Sequence, residues 1–286
     1  MKLKDIYIRD PYILLWDDVY YMYGKEYLEQ KGFVVYTSND LIEWSQPKQV
    51  FSPDENFWAD REFWAPEVHE YNGKFYMFAS FKAENRCRAT QILVSDAPDQ
   101  QFVPLTDNPI TPPEWECLDG TLYVDKKGKP HIVFCHEWKQ IGDGTMCEME
   151  LSEDLKSAKS QPRVIWKASD HKEVVDAIKG KESKVTDGPY LYRCKNGELI
   201  CIWSSFNKNG YMEVVSRSDN GDIDGNWSID SNPIIDGDGG HGMIFKSKDD
   251  ETIFVMHSPN TEGLERARLY KFIEKDNTIV LEKYCG

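Results

Sequence analysis

The stretch IRDPYILLWDDVYYMYG (8–24) contains the pattern that decides the fold. A short polar signature, Arg9-Asp10-Pro11, precedes VYYMYG (19–24), a run of β-branched and aromatic residues that is typical of a strand. The same order recurs four times farther along the chain. The later signatures are Ala65-Pro66-Glu67, Leu118-Asp119-Gly120, Thr186-Asp187-Gly188-Pro189 and Gly240-His241-Gly242, and the runs that follow them are KFYMFAS (74–80), KPHIVFC (129–135), ELICIWSS (198–205) and TIFVMHS (252–258).

The spacing of these signatures predicts the architecture. With Asp10, Glu67, Asp119, Asp187 and His241 as markers, the intervals are 57, 52, 68 and 54 residues. A period of about 50 residues with several strands per unit is the signature of a β-propeller. We therefore predict an all-β protein, a five-bladed β-propeller that forms a single domain over residues 1–286. A β-sandwich with coincidental spacing is the alternative.

The longest interval contains DHKEVVDAIKGK (170–181). Val174, Val175 and Ile178 have helical spacing there, and Gly180 is a suitable stop. We predict a short inserted helix.

Composition narrows the classes of ligand. Asp and Glu total 49 against 34 Lys and Arg, which gives a net charge of −15. Phosphate contacts need basic surface, so we expect no nucleic acid partner, and an anionic membrane surface is equally unsuited. No apolar run approaches the length of a membrane span. A neutral ligand fits better, and the 13% of aromatic residues suits either sugar rings or a β-rich core.

The cysteines and the N-terminus bear on the compartment. The seven cysteines are an odd number without a CxxC pair, so neither a disulfide framework nor a zinc site is indicated. Free thiols fit a reducing compartment. The opening MKLKDIYIRDPYILLWDD shows no signal peptide. A cytoplasmic location is the default expectation, and a secreted or periplasmic one applies if the start is trimmed.

Propeller symmetry gives the five markers a chemical meaning. Equivalent positions in successive blades surround one axis, so four carboxylates and an imidazole would meet at one channel mouth. Like charges at close range raise each other's pKa values, which makes a ligand or a reaction the better reason for the ring. Paired carboxylates around a sugar suggest glycoside hydrolysis, in which one activates water and the other protonates the leaving oxygen. A third can tune the acid.

The ordered motifs resemble those of glycoside hydrolase family 43, five-bladed propellers that act on arabinose- and xylose-containing glycans. The matching motifs are IRDPYIL (8–14), FWAPEVHEYNGKFYMFAS (63–80), LDGTLY (118–123), TDGPYLY (186–192) and GGHGMIF (239–245). The resemblance implies an inverting hydrolase that releases a terminal pentose, an α-L-arabinofuranosyl unit before others, from plant-type glycans or oligosaccharides. A β-xylosidase or exo-galactosidase of the same fold, a sugar-binding propeller without catalysis, and a protein-interaction propeller are the alternatives.

The resemblance also implies roles for single residues. Asp10 matches the general base, Asp119 the carboxylate that tunes the acid, and Asp187 the general acid. His241 matches an axial histidine that lies near a calcium ion or a bound water. The resemblance implies no required cofactor. It suggests a structural calcium ion in the central channel. The residues expected to bind substrate are Arg9, Trp64, Glu67, His136 and Arg268, with Arg266 as a competing choice for the last.

One position departs from the family pattern. Asp187 stands where the family has Glu before Gly-Pro, and its side chain is one methylene shorter. Misplacement of a reacting group by about 1 Å can cost on the order of 10²-fold in rate. Either the backbone advances to compensate, or another acid substitutes, with Glu182 and Glu137 as candidates, or catalysis is lost and sugar binding remains.

Overall fold

The computed structural model describes residues 1–27, 29–275 and 278–284, so Cys285 lies outside the described residues. Five antiparallel sheets form the blades of a five-bladed β-propeller, as the spacing predicts. Within each sheet the strands follow one another in chain order. The first strands of neighbouring blades contact each other, so they are the innermost and surround the axis.

The blades differ mainly in the lengths of their strands. The first blade contains β1 (Tyr12–Trp16), β2 (Val19–Gly24), β3 (Phe33–Ser38) and β4 (Lys48–Phe51). The second contains β5 (Arg61–Tyr71), β6 (Lys74–Ala83), β7 (Arg86–Ser95) and β8 (Val103–Pro104). The third contains β9 (Cys117–Val124), β10 (Pro130–His136), β11 (Thr145–Glu150) and β12 (Arg163–Lys167).

The fourth blade has an additional short strand. It contains β13 (Asp187–Arg193), β14 (Leu199–Asn207), β15 (Gly210–Ser218) and β16 (Trp227–Ile229), and β17 (Ile235–Asp236) also pairs with β15. The fifth contains β18 (Gly240–Lys246), β19 (Thr252–Ser258), β20 (Arg266–Lys275) and β21 (Thr278–Lys283). Helical structure in the described residues is confined to α1 (Trp138–Ile141) and two 3₁₀ turns, Leu3–Asp5 and Ala168–Asp170. None of these helices is long and apolar enough to cross a membrane.

Tight hairpin turns connect the innermost strand of a blade to the next strand. Asn72 and Gly73 join β5 to β6 with φ values of 50° and 76°. Two successive residues with positive φ define the type I′ turn, whose twist matches that of paired strands. Asn-Gly is the dipeptide that adopts it at least cost.

Aromatic residues fill the space between blades. Phe33, Phe51, Phe63 and Phe81 pack against one another between the first and second blades, with ring centroids 5.1 to 6.3 Å apart. Trp203 is fully buried in a cluster formed by the third and fourth blades. Much of the aromatic content therefore stabilises the fold through burial.

The ring closes between the first and fifth blades. The backbone N–H of Ile8 donates to the carbonyl oxygen of Glu265 at 3.2 Å. The Arg9 guanidinium donates to the Asn260 side chain at 2.8 Å and to the Glu265 carboxylate at 3.1 Å. We call Arg9, Asn260 and Glu265, together with Ile8, the seam. The seam joins parts of the chain more than 250 residues apart directly beside Asp10.

The predicted helix over 170–181 is wrong. The segment is irregular beyond the 3₁₀ turn that ends at Asp170. Its backbone donors bond outside a helical ladder: the N–H of Val175 donates to Phe206, and that of Ala177 donates to Ser183. Tertiary hydrogen bonds override the helical spacing because three apolar residues alone do not sustain a short helix.

Candidate active site

The innermost strands begin with an unusual backbone conformation. One residue near the start of each, Asp10, Ala65, Asp119, Gly188 and His241, has a φ between 45° and 53°. The strand register shifts around this residue in the second, third, fourth and fifth blades. The structurally equivalent positions therefore include Ala65 rather than Glu67, and Gly188 rather than Asp187. The repeat was predicted correctly, but two markers lay one or two residues from the true equivalent.

This conformation turns side chains towards the channel mouth. Left-handed φ values at non-glycine residues cost on the order of 1–3 kcal/mol each, and they cluster where a fold must aim a group. In the fourth blade the position is glycine for a second reason. A Cβ at Gly188 would lie 2.7 Å from the His241 ring. The histidine thus occupies the space that a side chain would need.

A cavity of about 420 Å³ opens at this end of the channel. All five blades or their connecting loops contribute to its lining. The lining includes Asp10, Trp64, Asp119, Asp187 and His241. The structure therefore brings together most of the residues that the sequence analysis selected from distant motifs.

The environment of Asp10 favours a charged carboxylate. Its Oδ1 atom lies 3.2 Å from Nδ1 of His241 and 3.2 Å from Nδ1 of His257, and 3.7 Å from Nε of Arg9. Burial alone would raise the pKa of Asp10, but His241, Arg9 and His257 together hold it well below its usual range. An ionised carboxylate is the state that a general base requires.

The environment of Asp187 favours the protonated acid. Burial and the neighbouring charge of Asp119 raise the pKa of Asp187 to about 8. The Tyr211 hydroxyl donates a hydrogen bond to its Oδ2 atom at 2.8 Å. A carboxyl that keeps its proton near neutral pH can act as a general acid.

The pKa of Asp119 is intermediate between those of Asp10 and Asp187. Its Oδ2 accepts a hydrogen bond from the backbone N–H of Gly188 at 3.1 Å, and its backbone N–H donates to Ser80 at 2.8 Å. Burial and the charge of Asp10 raise the pKa of Asp119 to about 7. Because Asp119 and Asp187 influence each other, the two titrate as a coupled pair.

A second layer fixes the histidine at the axis. The backbone N–H of His241 donates to Ser204 at 2.7 Å, and the Ser204 hydroxyl donates to Glu213 at 2.5 Å. The Glu213 carboxyl is fully buried, which raises its pKa to about 7. Glu213 also accepts from the backbone N–H of Gly242 at 3.3 Å.

Trp64 forms one wall of the cavity, and cations hold it in place. The Arg88 guanidinium lies 4.3 Å from the Trp64 ring centroid. Arg88 is 2% exposed and is ion-paired with Glu62 and Glu137. The other oxygen of Glu137 lies 3.3 Å from Nζ of Lys139. Guanidinium stacking of this kind stabilises a flat aromatic surface.

Neither substitute acid fits its proposed role. Glu137 lines the cavity, but its two oxygens are engaged in ion pairs with Arg88 and Lys139. Glu182 does not line the cavity; its side chain is 65% exposed and is ion-paired with Lys184. Asp187 is the carboxyl that the structure places in the cavity beside Asp119.

Three of the five predicted substrate contacts lie elsewhere. His136 ends β10, the second strand of its blade, where it stacks on Trp115 at 4.2 Å and pairs with Gln140. Arg268 is exposed on β20, with its side chain on the opposite face from the buried Ala267 and Leu269. Arg266 lies on the same face of β20 as Arg268, because residues two apart on a strand share a face. Its guanidinium donates hydrogen bonds to backbone carbonyls near the seam.

The third of these predicted substrate contacts is Glu67, which also lies outside the cavity lining. It is buried on β5, where its Oε2 atom lies 3.2 Å from Nε2 of His69. The Nδ1 atom of His69 lies 3.3 Å from the Tyr12 hydroxyl. The register shift after Trp64 places Glu67 two residues beyond the channel mouth. Arg9 and Trp64 do line the cavity.

Several residues of the site lie outside the polar signatures. Tyr211 and Glu213 lie two residues apart on β15, and His257 lies near the end of β19. Period-two alternation on a strand that follows a hairpin would have placed Tyr211 and Glu213 on one face. No local signal identifies Glu265 or Asn260, because their role depends on closure of the ring.

Comparison with known proteins agrees with this geometry. The model of glycosyl hydrolases family 43 matches residues 5–276. The solved endo-arabinase of Bacteroides thetaiotaomicron VPI-5482 superposes with a TM-score of 0.91 and 35% identity over 99% of both chains.

Two curated relatives match over shorter stretches. The extracellular endo-alpha-(1->5)-L-arabinanase 1 of Bacillus subtilis (strain 168) is 24% identical over 47% of this chain and 45% of its own. A xylosidase/arabinosidase of Bacteroides ovatus is 27% identical over 41% of this chain and 42% of its own. The matches thus span less than half of these relatives' lengths. The Bacillus relative is extracellular by name, so the cytoplasmic expectation finds no support. From the family match over nearly its whole length, the chain belongs to glycosyl hydrolases family 43.

Proposed function

We propose that the protein hydrolyses α-L-arabinofuranosyl linkages in a neutral glycan or oligosaccharide, with inversion at the anomeric carbon and release of a terminal unit. The observation that carries the proposal is the pairing of a carboxylate held ionised, Asp10, with a carboxyl that keeps its proton, Asp187, in one cavity. The names of the arabinan-active relatives support the choice of sugar.

The proposed reaction is a single displacement. Asp10 accepts a proton from a water molecule as that oxygen attacks the anomeric carbon. The bond from this carbon to the leaving oxygen breaks, and the leaving oxygen takes the proton of Asp187. Asp119 keeps the acid protonated through its charge and contacts the backbone of Gly188. Proton exchange with solvent then restores Asp10 and Asp187.

We propose that the reaction needs no metal ion. Among the described residues, the group suited to metal binding is Asp119, Asp187 and His241, whose ligand atoms all lie within 4.8 Å of one another. Calcium prefers six to eight oxygen ligands. This group offers one imidazole nitrogen and two carboxyls, one of which must keep a proton as the acid, so it does not fit the calcium that the resemblance suggests. Activity that survives treatment with EDTA would support this view, and activity restored only by calcium would overturn it.

A panel of aryl glycosides tests the proposed function. The substrates are the 4-nitrophenyl α-L-arabinofuranoside, β-D-xyloside and β-D-galactoside, followed by arabino-oligosaccharides. We expect release from the arabinofuranoside, loss of that activity in Asp10→Asn, and no loss in Asp96→Asn, which changes an exposed aspartate remote from the cavity. Release from the xyloside alone would replace the proposed sugar; the Bacteroides ovatus relative motivates that arm.

Two further readouts refine the result. Chromatography of products from long arabino-oligosaccharides separates release of terminal units from internal cleavage. Calorimetry detects a propeller that binds sugar without cleaving it, which would contradict the hydrolase proposal. Because the Bacillus relative is named extracellular, we also propose action outside the cytoplasm, to be tested by cell fractionation.

A further inference from the structure

Tyr211 contacts Asp187 from β15, which is separated from the Asp187 strand, β13, by β14 in the same blade. It lies near the start of β15, and its hydroxyl donates to Oδ2 of Asp187 at 2.8 Å. Tyr211 is 1% exposed and does not line the cavity. It therefore reaches the reaction centre through Asp187 rather than through the substrate.

The ring of Tyr211 has a fixed seat. It lies 5.7 Å from the His257 ring at an interplanar angle of 23°, and 5.0 Å from the Phe206 ring. A Cβ at Gly240 would lie 2.8 Å from the Tyr211 ring, so glycine is needed there for the ring to fit. A side chain this closely packed has little freedom to move its hydroxyl.

The hydrogen bond distinguishes the two oxygens of the acid. The Tyr211 hydroxyl donates to Oδ2, which leaves Oδ1 as the oxygen of the neutral carboxyl that Tyr211 does not engage. An aspartate is one methylene shorter than the glutamate of the family pattern. Its carboxyl thus gains from an anchor that fixes both the orientation and the oxygen that carries the proton.

We propose that Tyr211 is a positioning residue that holds the Asp187 carboxyl so that Oδ1 delivers its proton to the leaving oxygen. The proposal rests on the function proposed above. In the step itself, the Oδ1–H bond breaks as the glycosidic oxygen gains the proton and the bond to the anomeric carbon is lost. The Tyr211 hydroxyl keeps its own proton throughout.

The test compares substrates that differ in their need for an acid. An arabino-oligosaccharide has a poor leaving group, whereas a 4-nitrophenyl group leaves with little protonation. For Tyr211→Phe we expect kcat on the oligosaccharide to fall by about 10- to 100-fold, within the range for misplaced acid catalysis. We expect kcat on the aryl glycoside to fall by less than about threefold, and KM for both substrates to change by less than about threefold.

Tyr23→Phe is the matched control. Tyr23 is also fully buried, and its hydroxyl makes a single hydrogen bond to the carbonyl of Pro98 at 2.8 Å, away from the cavity. It should lose a similar amount of thermal stability without changing the ratio of the two kcat values. In an Asp187→Asn background, Tyr211→Phe should cause no further loss on the oligosaccharide, because the proton it positions is gone.

The outcomes separate the two proposals. Equal loss on both substrates, or a full additional loss in the Asp187→Asn background, would show a purely structural role and overturn the inference. No loss on either substrate would overturn it as well. If the unaltered protein cleaves none of the substrates, the proposed function fails before Tyr211 is tested. Should part of the Tyr211→Phe protein fail to fold, both kcat values fall by the same factor, so their ratio still reports whether the loss follows acid dependence.

Discussion

The two sides of the cavity use the same residue type for opposite protonation states. On the seam side, Asp10 lies against two histidines and Arg9, and its pKa is held low. On the fourth-blade side, burial and the neighbouring charge of Asp119 raise the pKa of Asp187 to about 8, although the hydrogen bond from Tyr211 lowers it. Both carboxyls line the same cavity and are largely buried, so the difference comes from the charges that face them.

This comparison explains why the ring of blades matters for chemistry. The seam side of the cavity exists only when the ends of the chain meet, because Arg9 and Asp10 come from the first blade and His257 and Glu265 from the last. The acidic side is assembled from the third and fourth blades. Closure of the propeller therefore sorts two aspartates into base and acid.

The largest expected effect is the loss of kcat in Asp10→Asn and Asp187→Asn, which should depend on the substrate in only one of the two variants. Asp10→Asn should lower kcat on both oligosaccharide and 4-nitrophenyl substrates by about 10³-fold, because every substrate needs activated water. Asp187→Asn should lower kcat on the oligosaccharide by about 10²- to 10³-fold and on the aryl substrate far less. Steady-state kinetics on both substrates checks this. Parallel losses in the two variants would contradict the assignment of roles.

The second effect is on the pH dependence. Because the acid must hold its proton, kcat/KM should fall as pH rises through about 7 to 8, where the Asp119 and Asp187 pair titrates. Asp119→Asn removes a charge that raises the pKa of Asp187, so this alkaline limb should move to lower pH. A pH profile of each protein provides the measurement, with Asp96→Asn as the control. A limb that stays in place would remove Asp119 from this role.

The third effect concerns stability behind the site. The pKa of Glu213 is raised to about 7 by burial, so the folded protein keeps a proton that the unfolded chain loses above its ordinary pKa of 4.5. This contribution to stability is present at low pH and is lost as pH rises from about 4.5 to 7.

Between pH 5 and pH 8, the free energy of unfolding of Glu213→Gln should therefore fall by about 1 to 3 kcal/mol less than that of the unaltered protein. Urea denaturation at the two pH values measures the difference. Glu150→Gln, at a partly exposed glutamate paired with Lys129, serves as the control. An unchanged slope would show that Glu213 ionises normally in the folded protein.

The smallest effect distinguishes two arginines. Arg268→Ala should change kcat/KM by less than about twofold, because its side chain is exposed on β20 and is outside the cavity. Arg9→Ala should lower it much more, since Arg9 is part of the seam and contributes to the low pKa of Asp10. Kinetics on one aryl substrate compares the two. A large loss in Arg268→Ala would return that residue to the site.

The repeat was readable from the sequence because each blade has the same order of polar signature and strand. Asp10, Asp119 and Asp187 could be selected for that reason, and the family resemblance added Arg9 and Trp64. His136 and Arg268 do not line the cavity, because their positions depend on strand order and on which face of β20 turns inward. Glu67 was misplaced by a bulge that no sequence period reveals.

Tyr211, His257 and Glu265 could not be predicted for a different reason. Each contacts the site through a partner that is distant in the chain: Tyr211 through Asp187, His257 through Asp10, and Glu265 through Arg9. No motif in their local sequence marks these three residues, so only the folded ring gives them a role. The irregular conformation of residues 170–181 could not be predicted for a similar reason, because a backbone hydrogen bond to the distant Phe206 takes the place of local helical bonds.

The protonation state of the two aspartates at one pH tests the central claim most directly. Carbon-13 NMR of protein labelled at the aspartate carboxyl carbons, assigned with Asp10→Asn and Asp187→Asn, reports each state. The account predicts that at pH 6 the Asp10 signal has the shift of a carboxylate while the Asp187 signal has that of a protonated acid and titrates above pH 7. An ionised Asp187 at pH 6, or a protonated Asp10, would contradict it.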